Sequence, residues 1–381
     1  MNCSEESVRN IPFSTLKPLY EQHAAEYNEA ALRALRSGWY IMGKEVEAFE
    51  NEFASYIGAS HCIGLNSGLD ALVLALRALG IGKGDEVVVQ ANTYIATVLA
   101  ITENGATPVF VEPDEFHGID PIAVEKVITN RTKAIMVVHL YGQPCDMDAL
   151  GEISRRTGVP IVEDCAQSHG STLKGKMTGT FGHIACFSFY PTKNLGAFGD
   201  AGAAVTDDPA LADKLRILRN YGSKIKYQNE IEGINSRLDE IQAALLRVRL
   251  KHLDEILEER RTIAERYLNC IRNPHIRLPR VRPEGLHTWH QFVVECDARD
   301  ELQEYLKKQG IQTQIHYPIP PHLSEAYKHL GLRKGDFPLT ERLAESVLSL
   351  PLYNGMAGEN IERVVGALNG FSQGSEIKNE H

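Results

Sequence analysis

Ile161-Val-Glu-Asp-Cys-Ala-Gln-Ser-His-Gly170, then Ala185-Cys-Phe-Ser-Phe-Tyr-Pro-Thr-Lys-Asn-Leu-Gly196, then Gly199-Asp-Ala-Gly202 form the most informative stretch of this sequence. Its apolar runs Ile161–Asp164, Ile184–Phe189 and Gly202–Thr206 have strand length and little alternation, as expected of strands covered on both faces. Working outward, further runs of this kind fall at His61–Leu65, Glu86–Gln90, Pro108–Glu112 and Ala134–Leu140. Helix-length segments alternate with them near Gly68–Leu79, Ile95–Asn104, Pro121–Ile128, Met147–Thr157 and Pro209–Arg219. Strand–helix alternation of this kind predicts an α/β fold with a mostly parallel, mixed sheet flanked by helices.

Ahead of this block, Pro12–Tyr20 reads as an extended leading segment. Amphipathic helices are expected at Glu21–Ser37, ended by Gly38, and at Gly43–Ala54. Beyond it, a charged helix is predicted over Ser236–Asn269 as a connector. An α+β pattern then follows, with a strand at Gln291–Cys296, a helix at Arg299–Gln309, a Pro-rich loop at Tyr317–Pro321 and a last helix at Glu359–Asn369. The expected organisation is an N-terminal arm and large α/β domain over 1–249, then a connecting helix and smaller α+β domain over 250–381. Ser372–His381 is expected to be a frayed polar tail.

With 40 Lys and Arg against 50 Asp and Glu, the net charge of −10 disfavours a nucleic-acid partner, which needs clustered cations. The seven cysteines include no Cys-x-x-Cys pair, so neither a zinc ribbon nor a disulfide framework is encoded. Met1–Arg9 lacks the basic and apolar regions of a signal peptide, and no apolar run approaches the ~18 residues of a membrane span. A soluble cytoplasmic protein is expected. Gly38–Lys44 has phosphate-loop spacing, but Glu45 stands where Ser or Thr should bind magnesium. The glycines of Gly80–Gly84 end a helix rather than open one, so they read as a turn. His287 and His290 lack a third ligand nearby, and no metal site is expected.

Asp164 ends an apolar strand, where open α/β sheets bind their ligands. There it can pair with a buried cation such as a protonated pyridine nitrogen; taken alone it reads equally as a cap or turn residue. Lys193 lies in an apolar, glycine-rich setting that could desolvate its amine and make it nucleophilic, although a lone loop lysine is more commonly solvated. Ser188, together with Ser67-Gly68 before a helix, offers donors for one phosphate.

Three motifs make the chain resemble the DegT/DnrJ/StrS-type sugar aminotransferases over Pro12–Asn369. They are Asn66-Ser-Gly-Leu-Asp-Ala-Leu72, Glu163-Asp-Cys-Ala-Gln167 and Ser188-Phe-Tyr-Pro-Thr-Lys-Asn-Leu-Gly196. The resemblance implies the fold-type I, aspartate aminotransferase-like architecture, with pyridoxal 5′-phosphate as cofactor. It implies that Lys193 carries the cofactor as a Schiff base, that Asp164 holds the pyridine nitrogen and that Gln167 bonds the ring hydroxyl. Tyr94 would stack on the ring, while Ser67, Gly68 and Ser188 hold the phosphate. Asn235 would complete the phosphate site of a partner subunit, which makes the working unit a homodimer; it also reads as a helix cap.

Arg219-Asn-Tyr-Gly-Ser223, Asn235-Ser-Arg-Leu-Asp-Glu240 and His316-Tyr-Pro318 look most like the enzymes that aminate C3 of dTDP-3-keto-6-deoxyhexoses with L-glutamate as donor. Tyr190, Tyr221, Lys226, Tyr227, His316 and Tyr317 are the substrate-contact candidates. Alternatives are amination at C4, a UDP-linked sugar, a regulator that binds the cofactor without turnover, a dehydratase, disfavoured by Lys193, and an α-amino-acid aminotransferase.

Overall fold

A computed structural model describes residues 10–372; the expected features of Met1–Arg9 and of the tail beyond Ser372 lie outside them. Seven strands form the central sheet: β1 (His61–Leu65), β2 (Glu86–Gln90), β3 (Thr107–Val111), β4 (Thr132–Val138), β5 (Ile161–Asp164), β6 (Ile184–Ser188) and β7 (Gly202–Thr206). Their order is β1-β7-β6-β5-β4-β2-β3. Only β7 runs against its neighbours β1 and β6; all other pairs are parallel. The expected mostly parallel, mixed sheet is therefore present.

Alternation within each strand feeds two apolar layers. In β6, Ile184 and Cys186 pack on the layer with helices Gly68–Ala78, Ile95–Glu103 and Pro209–Leu218, while Ala185 and Phe187 pack on that with helices Lys44–Ile57 and Glu240–Lys251. Towards the β3 side, helices Pro121–Val127 and Met147–Thr157 cover Val88, Ile135 and Val137.

A further core joins the helix Leu253–Cys270, through Ile263 and Tyr267, to the antiparallel pair β8 (Phe292–Glu295) and β9 (Val347–Leu350) and to the helices Arg299–Lys308 and Gly358–Gly370. Ile11 is fully buried in this core and bridges to Ile311, so the leading segment is tied to the far end of the chain.

Three local expectations need correction. The helix predicted over Ser236–Asn269 is two helices, Glu240–Lys251 and Leu253–Cys270, broken at His252 with φ −105° and ψ 7°. At the start of the first, the Glu240 carboxylate accepts from the backbone N–H groups of Gly43, Glu45 and Val46, so it caps the N-terminus of the helix Lys44–Ile57. The leading segment is not extended throughout, since Lys17–Gln22 is helical with Pro18 in its first turn. Finally, a helix at Pro338–Ser346 and the strand β9 went unread, although Pro338 at the helix start is a recognisable signal.

Candidate active site

The C-terminal ends of β1, β5 and β6 converge where β7 starts between two of them. Gly202 is in register with Leu65 on one side and Ser188 on the other. A Cβ on Gly202 would lie 2.3 Å from the Ser67 carbonyl, and one on Gly68 would lie 2.5 Å from Ser188 Cβ. Two glycines therefore let the Ser67–Gly68 turn press against Ser188. Ser67 caps the helix Gly68–Ala78, accepting from Asp70 N at 3.1 Å. The helix N-terminus and two hydroxyls face one spot, an arrangement suited to a phosphate.

At the end of β5, Asp164 is 5 % exposed. Thr97 Oγ1 donates to its Oδ2 at 2.8 Å and Ala166 N to its Oδ1 at 3.1 Å. Burial pushes this carboxyl above the ordinary range, and those donors only partly offset it. Opposite in charge is Lys193, half-buried in the turn after β6. Desolvation pulls its amine down to about 8, against the pull of the Asp164 charge. A lysine so perturbed is a nucleophile near neutral pH.

Between and around these two charges lie the remaining candidates. Gln167 accepts from Tyr141 N at 2.6 Å and donates to the Tyr317 hydroxyl at 3.1 Å. Tyr317 in turn packs on the half-exposed Tyr94, ring centroids 5.0 Å apart. His316 bonds Ser349 Oγ at 2.8 Å and is held down at about 4 by burial and by the Lys193 charge. Tyr190 is 52 % exposed beside the Lys193 turn.

Asn235 is exposed, while its neighbour Ser236 is fully buried and anchored. Ser236 Oγ accepts from Asn66 N at 3.1 Å and donates to Asp70 Oδ2 at 2.6 Å, immediately behind the Ser67–Gly68 turn. Tyr221 lies beside Asn235: its backbone N–H donates to Ile234 O at 2.9 Å and Arg237 sits over its ring. Lys226 and Tyr227 belong to a small hairpin, Ser223–Ile225 paired with Gln228–Asn229, whose tip carries Tyr227 at 86 % exposure with Lys226 over its ring.

Sequence reading missed Thr97, Ser236 and His169. Thr97 could have been found from Thr93-x-x-x-Thr97, one helical turn apart and hydrogen-bonded at 2.8 Å. His169 is fully buried with neither ring nitrogen bonded, and burial next to Lys193 drives it down to about 3. His287 and His290 do not act as a pair: His287 stacks on Trp289 and accepts its N–H at 2.8 Å.

These groups fit pyridoxal phosphate. A buried carboxylate without a cation at hydrogen-bond distance suits its ring nitrogen, a desolvated amine suits its aldehyde, and the Ser67–Gly68–Ser188 cradle suits its phosphate.

Residues 21–369 match the DegT/DnrJ/EryC1/StrS aminotransferase family. The chain is similar to the dTDP-3-amino-3,6-dideoxy-alpha-D-galactopyranose transaminase of Aneurinibacillus thermoaerophilus, at 52 % identity over 95 % of this chain and 99 % of the relative. It is equally similar, at 52 % identity over 95 % of each chain, to the dTDP-3-amino-3,4,6-trideoxy-alpha-D-glucose transaminase of Streptomyces venezuelae. The crystal structure of S. venezuelae DesV in complex with a ketimine intermediate superposes with a TM-score of 0.93 and 51 % identity, over 94 % of this chain and 98 % of that one. With a common fold, near full-length similarity and a site built for the same cofactor, the chain belongs to the DegT/DnrJ/EryC1/StrS aminotransferase family and is a pyridoxal-phosphate-dependent aminotransferase.

Proposed function

We propose that the protein transfers the amino group of L-glutamate to C3 of a dTDP-linked 3-keto-6-deoxyhexose. The observation that carries the chemistry is the desolvated Lys193 amine within electrostatic reach of the buried Asp164. The choice of C3 is supported by two relatives with just over half their residues identical, both named for 3-amino sugars on dTDP. They differ in the sugar around C4, so the reading commits to the amination position and not to that configuration.

Pyridoxal phosphate, when bound, supplies the electron sink and carries the amino group between donor and acceptor. The chain's own residues do the rest. Asp164, fixed by Thr97 and Ala166, would pair with the ring nitrogen and favour its protonated form. Lys193 would hold the cofactor covalently, and its neutral Nζ is the group that would accept and return the proton moved during amino transfer, as base and then acid. Gln167 would bond the ring hydroxyl and Tyr94 would stack on the ring. Ser67, Gly68 and Ser188 would hold the phosphate. Tyr190, His316 and Tyr317 would border the sugar.

We further read the working unit as a homodimer in the cytoplasm. In support of this reading, Asn235 is exposed beside the anchored Ser236, and the hairpin with Lys226 and Tyr227 projects from the same segment. The run Trp39–Met42 exposes four large apolar side chains, a surface suited to cover by a second copy. Among the described residues no helix is long and apolar enough to cross a membrane, and the six cysteines there are unpaired.

The test is incubation with glutamate and a panel of dTDP- and UDP-linked 3-keto and 4-keto sugars, with products identified by mass and NMR. A 3-amino sugar on dTDP is the expected product. Turnover only with a 4-keto sugar, a UDP sugar or a keto-acid would overturn the assignment of substrate.

A further inference from the structure

A cation from another helix closes the turn that bears Lys193. Arg249, in the last turn of the helix Glu240–Lys251, is 5 % exposed. Its Nε donates to the Asn194 carbonyl at 3.1 Å, its Nη1 to that of Gly196 at 3.1 Å and its Nη2 to that of Lys193 at 3.2 Å. Burial draws the guanidinium down to about 10, partly offset by the phenol of Tyr27, also buried. A charge in such a place is costly unless its donors are well used, and here three main-chain carbonyls use them.

The turn has other ties. Lys193 N donates to Tyr190 O at 2.8 Å, Ala197 N to Phe189 O at 2.8 Å, and Asn194 Nδ2 to Thr288 O at 3.1 Å. Those bonds already hold its ends and its outer side. What Arg249 adds is the direction of three peptide planes at and just after Lys193. The Lys193 amine itself lies in a desolvated space, where the Asp164 charge opposes the loss of its proton.

We propose that Arg249 is a positioning residue for the Lys193 amine: by drawing the carbonyls of Lys193, Asn194 and Gly196 onto one guanidinium, it fixes the backbone from which that side chain emerges and keeps those carbonyls from serving as its acceptors. The proposal rests on the reading that Lys193 carries the cofactor. A lysine at position 249 would keep the charge but lacks the planar fork that spans several carbonyls.

Full-length wild type, Arg249→Lys and Arg249→Met, each stripped of cofactor, test it with two ligands. Pyridoxamine phosphate fills the same site but has no aldehyde to react with a lysine. Arg249→Lys is expected to keep wild-type affinity for pyridoxamine phosphate while its covalent attachment of pyridoxal phosphate, read from visible absorbance, slows by about tenfold or more, since misplacing a reacting group by an ångström costs up to ~10²-fold. Arg249→Met should show a larger loss of the same kind. Equal losses for both ligands, or an unfolded Arg249→Lys by circular dichroism, would make Arg249 a structural residue, and no loss for either would deny it a positioning role; each result overturns the proposal. A wild-type protein whose borohydride-fixed cofactor maps to another lysine would instead overturn the reading of Lys193 itself.

Discussion

Thr97 Oγ1 and Asp164 Oδ2 lie 2.8 Å apart, joining the first turn of the helix after β2 to the end of β5 across 67 residues of sequence. The hydroxyl holds one oxygen of a buried carboxylate and lowers its affinity for protons. Replacing Thr97 by Val keeps the shape and removes the donor. The cofactor-free protein should lose about 1–3 kcal/mol of stability at neutral pH, the usual cost of an unsatisfied buried acceptor. The loss should shrink in acid, where Asp164 is protonated. Urea unfolding of the two proteins at several pH values measures both effects.

Lys193 gives a pH signature of opposite origin. Its amine stands at about 8 in the fold against an ordinary 10.5. The folded state therefore binds its proton less tightly than the unfolded chain does, so stability rises with pH between those two values. In cofactor-free protein, Lys193→Met should be more stable than wild type at pH 7. That advantage should fade as pH climbs from about 8 to 10.5. A constant difference across the range would show that Lys193 titrates normally.

Gly202 lets β7 lie against the Ser67–Gly68 turn proposed to hold the phosphate, and Gly202→Ala should open that contact. The new Cβ would sit 2.3 Å from the Ser67 carbonyl, so either β7 or the Ser67–Gly68 turn must shift. Overpacking of this kind costs about 1–3 kcal/mol. Affinity for pyridoxal phosphate should fall further than affinity for pyridoxal, which lacks the phosphate. Equal losses would place the strain elsewhere.

The proposed homodimer, with Asn235 completing the partner's site, predicts complementation. Asn235→Asp should repel the phosphate of a partner's site, and Lys193→Ala should disable its own. Each variant alone is expected to be inactive. Mixed under conditions that exchange subunits, the pair regenerates one intact site per mixed dimer and activity returns. No gain on mixing, with mixed dimers demonstrated, would place Asn235 outside the partner's site.

Much of the sheet was legible because its strands are short apolar runs: β1, β2, β5 and β7 begin and end at the expected residues. The burial of Asp164 at a strand end and the desolvation of Lys193 soon after one were legible from their setting, and the Ser67 cap from Ser67-Gly68 opening a helix. Other features were not, for a common reason. The contacts of Thr97, Ser236 and Arg249 span 67, 166 and 56 residues, and local periodicity is silent about partners that distant. The break at His252 was hidden because the residues on both sides favour helix. There the His252 ring stacks on His23 at 3.8 Å and bonds Glu26 at 3.0 Å, contacts supplied by the leading helices. The hairpin with Lys226 and Tyr227 is exposed and polar, and nothing in its composition separates a substrate loop from an ordinary turn.

Purified protein loaded with pyridoxal phosphate, reduced with borohydride and digested, should yield one peptide carrying the cofactor's mass, with Lys193 as the modified residue. Recovery of the label on any other lysine, or of unlabelled protein that takes up no pyridoxal phosphate, would contradict the account.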